Sequence, residues 1–239
     1  MRKYERKLLP TAAEILWKAV IIALTVTGVY LQARDDGGLF RSNTYLYFTV
    51  ISNSGTAVIS AVFLILETAE RLRGKYYIPK RLFTLKYMFT AAMFLTLIVS
   101  SCLLAPFKDR AYLLSMKNLC LHIFAPLASV VDFLAFDKRF KCRKRTVLMG
   151  FVLPLIYLAV TLLLSIKGIM YSNGTNYPYY FLNYRSLGWL TLSGGNIGVA
   201  WWLMIVAVMT GIASALLLRL KRIICKRNEK KYSIPRYKY

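Results

Sequence analysis

A single histidine, His122, is all the imidazole that the 239-residue chain contains. The four cysteines form no CxxC pair and no cluster with that histidine, so the ligand spacing of a zinc site is missing. Nor do they make a disulfide framework. Cys142 and Cys225 are expected on the reducing side of a membrane. Cys102 and Cys120, near outer helix ends, read as small apolar packing residues, with a bridge between them as the alternative. Acidic residues are scarce, 10 Asp plus Glu against 33 Lys plus Arg. No internal repeat is visible. The N-terminal apolar stretch is too long for a cleavable signal and lacks a clear small-residue cleavage site.

What the chain has in abundance is apolar sequence: 57% of its residues, against ~45–50% in soluble domains. Six apolar runs, over 13–33, 45–66, 85–106, 118–136, 147–167 and 193–220, are each long enough to cross a bilayer as a helix. Backbone groups in lipid must bond within their own segment, so these runs are helices rather than open strands. The expected fold is all-α: a polytopic membrane protein built as a bundle of six transmembrane helices over 1–220. A basic cytoplasmic tail, expected to be disordered, follows over 221–239.

The basic excess is a topology signal. Connections alternate between rich and poor in Lys and Arg, with 26 on the side of both termini and seven on the other. The positive-inside rule then places both termini in the cytoplasm, with anionic lipid headgroups as partners of that face. The same alternation argues against a nucleic-acid partner, which would need a basic patch rather than a periodic one.

Polar residues inside spans are costly and mark function by default. In the second span, Thr49, Asn53, Thr56 and Ser60 recur at helical spacing on one face. Helix–helix hydrogen bonding is the plain reading of that stripe. In the fourth span, Asn118, His122, Ser129 and Asp132 fall near one face, and Pro126 frees the carbonyl of His122, one turn before it. Asp132 lies level with Lys18 and Lys86 and is expected to pair with one of them in a structural role.

Depth links the two spans. Thr49 and His122 each lie about five residues inside the outer boundary, hence at a common level roughly 7 Å deep. A neutral imidazole there can take the proton of a threonine hydroxyl as it attacks a carbonyl. Ser52, Asn53, Asn196 or an outer-loop tyrosine would steady His122 or bind a developing oxyanion. By chemistry alone, a lone membrane histidine also serves as a packing group or as a proton or ligand site.

Outside the spans, the fifth loop, 168–192, is rich in tyrosine: Tyr171, Tyr177, Tyr179, Tyr180 and Tyr184. With Trp189 these form either an interfacial aromatic belt or a cap over an outer cavity. Asn173-Gly174-Thr175 is a glycosylation sequon by pattern. Gly194 and Gly198 have the spacing for close helix approach.

Phe48-Thr49 with Ser52-Asn53, His122 in LCLHIFAP, the run Asp132-Phe133-Leu134-Ala135-Phe136-Asp137 and Tyr177-Pro178-Tyr179 together define a pattern. From about Trp17 to Leu217 it resembles the androgen-induced gene protein family, which includes the androgen-dependent regulator of tissue factor pathway inhibitor and bacterial relatives. Eukaryotic members are membrane hydrolases of fatty acid esters of hydroxy fatty acids, with a threonine nucleophile and a histidine partner. The resemblance implies Thr49 and His122 in those roles, a lipid ester as substrate, no cofactor or metal, and, from the bacterial-type Phe-Thr…Ser-Asn pattern, residence in a bacterial plasma membrane. Two other readings stand beside it: a small-solute transporter using His122 as a proton or ligand site, and a scaffold acting through the basic loop 138–145.

Overall fold

The computed structural model describes residues 10–40, 42–171, 173–193 and 195–232. Six helices long and apolar enough to cross a membrane make up the fold: α1 (Ala12–Asp35), α2 (Phe48–Arg73), α3 (Lys80–Phe107), α4 (Met116–Phe136), α5 (Lys144–Ile166) and α6 (Val199–Tyr232). The chain is a multi-pass membrane protein.

Local chemistry sets the helix ends. Thr11 caps α1 by accepting from the Glu14 backbone N–H at 3.3 Å. Gly74, at φ 65°, ends α2 in the left-handed conformation that glycine adopts without a Cβ penalty. Two helices carry a wide π turn just before an Ala-Pro pair. In α3 it is Ser100–Leu104 before Ala105-Pro106; in α4 it is Leu119–Phe124 before Ala125-Pro126. The first part of α5, Lys144–Phe151, is wound as a tighter 3₁₀ helix.

α3 is the hub and packs against α2, α4, α5 and α6, while α1 closes the other flank on α2 and α4. α5 is the most peripheral: 11% of its apolar window is buried, against 50% for α4. Its α-helical part therefore leaves space between itself, α2, α3 and α6.

The half of the bundle nearest the termini is held by buried ions. Asp132 binds Lys18 through Oδ1 and Lys86 through Oδ2, each at 2.6 Å. It thus pairs with both lysines rather than one. Lys86 also reaches Asp137 at 2.6 Å, and Lys18 reaches Glu67 at 3.4 Å. Lys221, buried, donates to the Phe133 and Leu134 carbonyls at 2.7 and 2.9 Å, capping the carboxyl end of α4. Lys138 pairs with Glu14, and Arg139 with Glu70 at 2.6 Å. This corrects the expected start of a disordered tail at 221: α6 continues unbroken to Tyr232, because Lys221 belongs to the core. The remainder, 233–239, lies outside the described residues.

The other boundary of α6 also moves. Leu192–Ser193 (β1) pairs antiparallel with Asn196–Ile197 (β2), so the helix begins at Val199 rather than 193. A Cβ on Gly198 would sit 2.6 Å from the Trp189 carbonyl oxygen. Its close approach is therefore to loop backbone, not to another helix; Gly194 lies outside the described residues.

Candidate functional site

Thr49 is the second residue of α2, buried at the end of the bundle away from the termini. Its Oγ1 lies 3.4 Å from Nε2 of His122 on α4. That distance is longer than an ideal hydrogen bond and within the range that tightens when a substrate arrives. The polar stripe of α2 faces inward throughout, with Thr49, Asn53, Thr56 and Ser60 all buried.

The π turn explains how His122 reaches that position. The Ala125 N–H donates to the Cys120 carbonyl, five residues back, instead of to Leu121. Pro126, the next residue, has no N–H to offer. The Leu121 carbonyl is therefore left without a helical donor. Asn53 fills the gap: its Nδ2 donates to the Leu121 carbonyl at 3.1 Å and to the Thr49 carbonyl at 2.8 Å. One carboxamide thus ties the residue before His122 to the residue it must meet. Pro126 withholds the i+4 donor from the His122 carbonyl, as the sequence implies, and the π turn frees the Leu121 carbonyl as well. Asn53 Oδ1 and His122 Nδ1 have no hydrogen-bond partner among the described residues. The Asn118 backbone lies beside the ring, one turn before it.

Ser52 donates to the Thr49 carbonyl at 3.1 Å and shares a 3.3 Å contact with Thr96. Both Ser52 and Asn53 therefore spend their donors on backbone and neighbours, which suits orientation and not oxyanion binding. Asn196 is exposed in the β1–β2 hairpin and lines neither of the two cavities beside Thr49. The hairpin, which delays the start of α6, sets it apart from Thr49 and His122.

Thr49 stands at the wall of an apolar cavity of about 410 Å³ enclosed by α2, α3, α5, α6 and the fifth loop. Apart from Thr49, Thr96, Ser100, Thr210 and two tyrosine hydroxyls, its lining is hydrocarbon. Leu155 and Met204 line it yet are 58% and 56% exposed, so its mouth opens sideways between α5 and α6. His122 is not among the lining residues: it stands behind Thr49. A second space of about 140 Å³ lies beyond Phe48 and Tyr157, which line both and whose ring centroids are 5.1 Å apart.

The tyrosine-rich loop is a cap. Tyr171 is buried and meets Tyr47 edge-on at 5.7 Å, while Tyr179 meets Tyr47 at 6.3 Å and stacks on Phe181 at 5.3 Å. Trp189 stays exposed, stacked on Tyr184. Tyr179, half-buried, lines the cavity beside Thr49. Its hydroxyl contacts the side chain and backbone of Thr49 and the hydroxyl of Tyr157, and burial pushes its phenol up to about 12. Tyr157 in turn donates to the Leu46 carbonyl at 3.1 Å. Tyr179 was signalled in the sequence by the fifth-loop tyrosine cluster and the Tyr177-Pro178-Tyr179 motif, whereas Tyr157, inside the fifth span, had no signal. Among the described residues, no three His, Cys, Asp or Glu side chains gather as a metal-binding group. Comparison with protein-family models, curated proteins and solved structures gives no match to this chain.

Proposed function

We propose that the protein is a membrane-embedded hydrolase of lipid esters, with Thr49 as nucleophile and His122 as general base. The observation that carries this reading is the 3.4 Å contact between Thr49 Oγ1 and His122 Nε2 at the wall of an apolar cavity open to the bilayer flank. An acyl chain lies in the cavity and its ester carbonyl meets Thr49. His122 accepts the hydroxyl proton as Oγ1 bonds to the carbonyl carbon. Collapse of the intermediate breaks the ester C–O bond, and His122 returns the proton to the leaving alcohol. A water, deprotonated by His122, then releases the fatty acid from the acyl-threonine.

The resemblance to the androgen-induced gene protein family supports the same two residues and suggests fatty acid esters of hydroxy fatty acids as the substrate class. The charge alternation supports cytoplasmic termini, an anionic-lipid face and, with the bacterial-type pattern, a bacterial plasma membrane. The apolar lining, with His122 behind Thr49, argues against a small-solute path through the bundle.

The test is hydrolysis of long-chain esters by purified protein. Thr49→Ala is expected to abolish turnover and His122→Ala to lower it by about 10²–10⁴-fold. Equal rates in all three proteins would refute the reading.

A further inference from the structure

We propose that Tyr179 is a further catalytic residue, its hydroxyl donating a hydrogen bond to the oxyanion that forms on the substrate carbonyl as Thr49 attacks. The inference rests on the ester-hydrolase reading of the same site.

Attack on an ester turns the carbonyl oxygen into an anion beside an otherwise apolar cavity. Such a charge needs a donor already in place. Of the donors expected from the sequence, Asn53 and Ser52 are spent and Asn196 lies outside the cavity wall, which leaves the outer-loop tyrosines. Both hydrogens of Asn53 Nδ2 go to the Thr49 and Leu121 carbonyls. The Ser52 hydroxyl goes to the Thr49 carbonyl. Asn196 is exposed in its hairpin. Tyr157 lines the cavity, but its hydrogen points to the Leu46 carbonyl.

Ser100 and Thr210 donate to the Leu97 and Val206 carbonyls and Thr96 meets Ser52, which leaves Tyr179 among the described side chains of the cavity wall. Tyr179 lines the same cavity as Thr49, and its hydroxyl contacts the Thr49 side chain. The threonine hydroxyl therefore has the imidazole as one neighbour and the phenol as another. When Oγ1 bonds to the carbonyl carbon, the oxyanion is attached to that same carbon, within reach of a hydroxyl that rotates about its C–O bond. Tyr179 transfers no proton in this step; the Thr49 proton goes to His122, and the carbonyl π pair goes to the oxygen that Tyr179 holds. Stacking on Phe181 at 5.3 Å, the edge contact with Tyr47 at 6.3 Å and the buried Pro178 before it fix the ring. The Tyr157 hydroxyl, anchored to Leu46, acts as a positioning group for the phenol.

The experiment compares wild type, Tyr179→Phe and Tyr184→Phe in detergent. Each is assayed on a p-nitrophenyl ester of a long-chain fatty acid, for binding of a non-hydrolysable ether analogue, and for labelling of Thr49 by an alkyl fluorophosphonate. Tyr179→Phe is expected to lose about 10²–10³-fold in kcat, with KM and analogue binding unchanged, while Tyr184→Phe behaves as wild type. Wild-type kcat in Tyr179→Phe overturns the role of Tyr179 and leaves the Thr49–His122 pair standing. Loss of analogue binding in Tyr179→Phe in step with kcat overturns it too, since the tyrosine then only shapes the cavity. A wild type that neither hydrolyses the ester nor takes the label at Thr49 removes the hydrolase reading and this proposal with it.

Discussion

Asp132 holds two buried ammonium groups at once, and its removal is the sharpest test of how the bundle is fastened. Its side chain is 1% exposed, and those of Lys18 and Lys86 are 0% and 4% exposed. In Asp132→Ala, Lys86 keeps Asp137 at 2.6 Å, while among the described carboxylates Lys18 keeps Glu67 at 3.4 Å. Breaking a buried pair by deleting one partner costs about 3–5 kcal/mol, because the survivor stays desolvated. Asp132→Asn keeps the shape and loses the charge, so it is expected to retain most of that penalty. The exposed pair between Lys117 and Asp35 is the control. Asp35 is 58% exposed there, and Lys117→Ala should cost no more than about 1 kcal/mol. Denaturant titration in mixed micelles, followed by tryptophan fluorescence, reads all three. Trp17 donates to the Ala128 carbonyl at 2.9 Å and so reports on the α1–α4 seam that Asp132 fastens. An Asp132→Asn protein as stable as wild type would refute the idea that charge, rather than packing, holds this layer.

Four further outcomes are expected. Asn53→Ala removes the donor to the Leu121 and Thr49 carbonyls; it should cost about 1–3 kcal/mol and slow ester turnover, and unchanged kinetics would deny the carboxamide its tethering role. Gly55→Ala would place a Cβ 2.0 Å from Phe89 Cε1 between α2 and α3, destabilising by about 1–3 kcal/mol in the same titration. Ala207→Phe fills part of the 410 Å³ cavity and should reduce turnover of long-chain esters more than of short-chain ones. The Tyr179 phenol is held up to about 12, above the ~10 of an unfolded chain. Its contribution to stability is therefore complete below pH ~10 and lost as pH rises from there toward 12, a decline that Tyr179→Phe should flatten in a pH series of unfolding midpoints.

The six spans were legible because length and apolarity alone decide what can lie in hydrocarbon. The meeting of Thr49 and His122 was legible through depth, since two helices entering from one side put equal residue counts at equal levels. Depth also brought Asp132 to Lys18 and Lys86, though counting along helices does not reveal that one carboxylate serves both. The π turn at Leu119–Phe124 was not legible: it is a choice of hydrogen-bond register, visible only once Asn53 is seen to take up the Leu121 carbonyl. The length of α6 was hidden for a related reason. Lys221 looks like the start of a solvated tail, but its stem is buried and its ammonium caps α4. Asn196 misled because Gly198 lies against the Trp189 carbonyl and the β1–β2 turn precedes the helix. The tyrosine cluster and the Tyr177-Pro178-Tyr179 motif pointed to the fifth loop, but not to which hydroxyl would stand beside Thr49.

The loose seating of α5 has a kinetic meaning. On the proposed reading, a chamber whose doorway is flanked by Leu155 and Met204 trades its contents with the surrounding lipid, not with water. Its occupancy then follows the mole fraction of a guest within the bilayer. Diluting that guest with inert phospholipid, at constant total concentration in the tube, empties the chamber as surely as removing it.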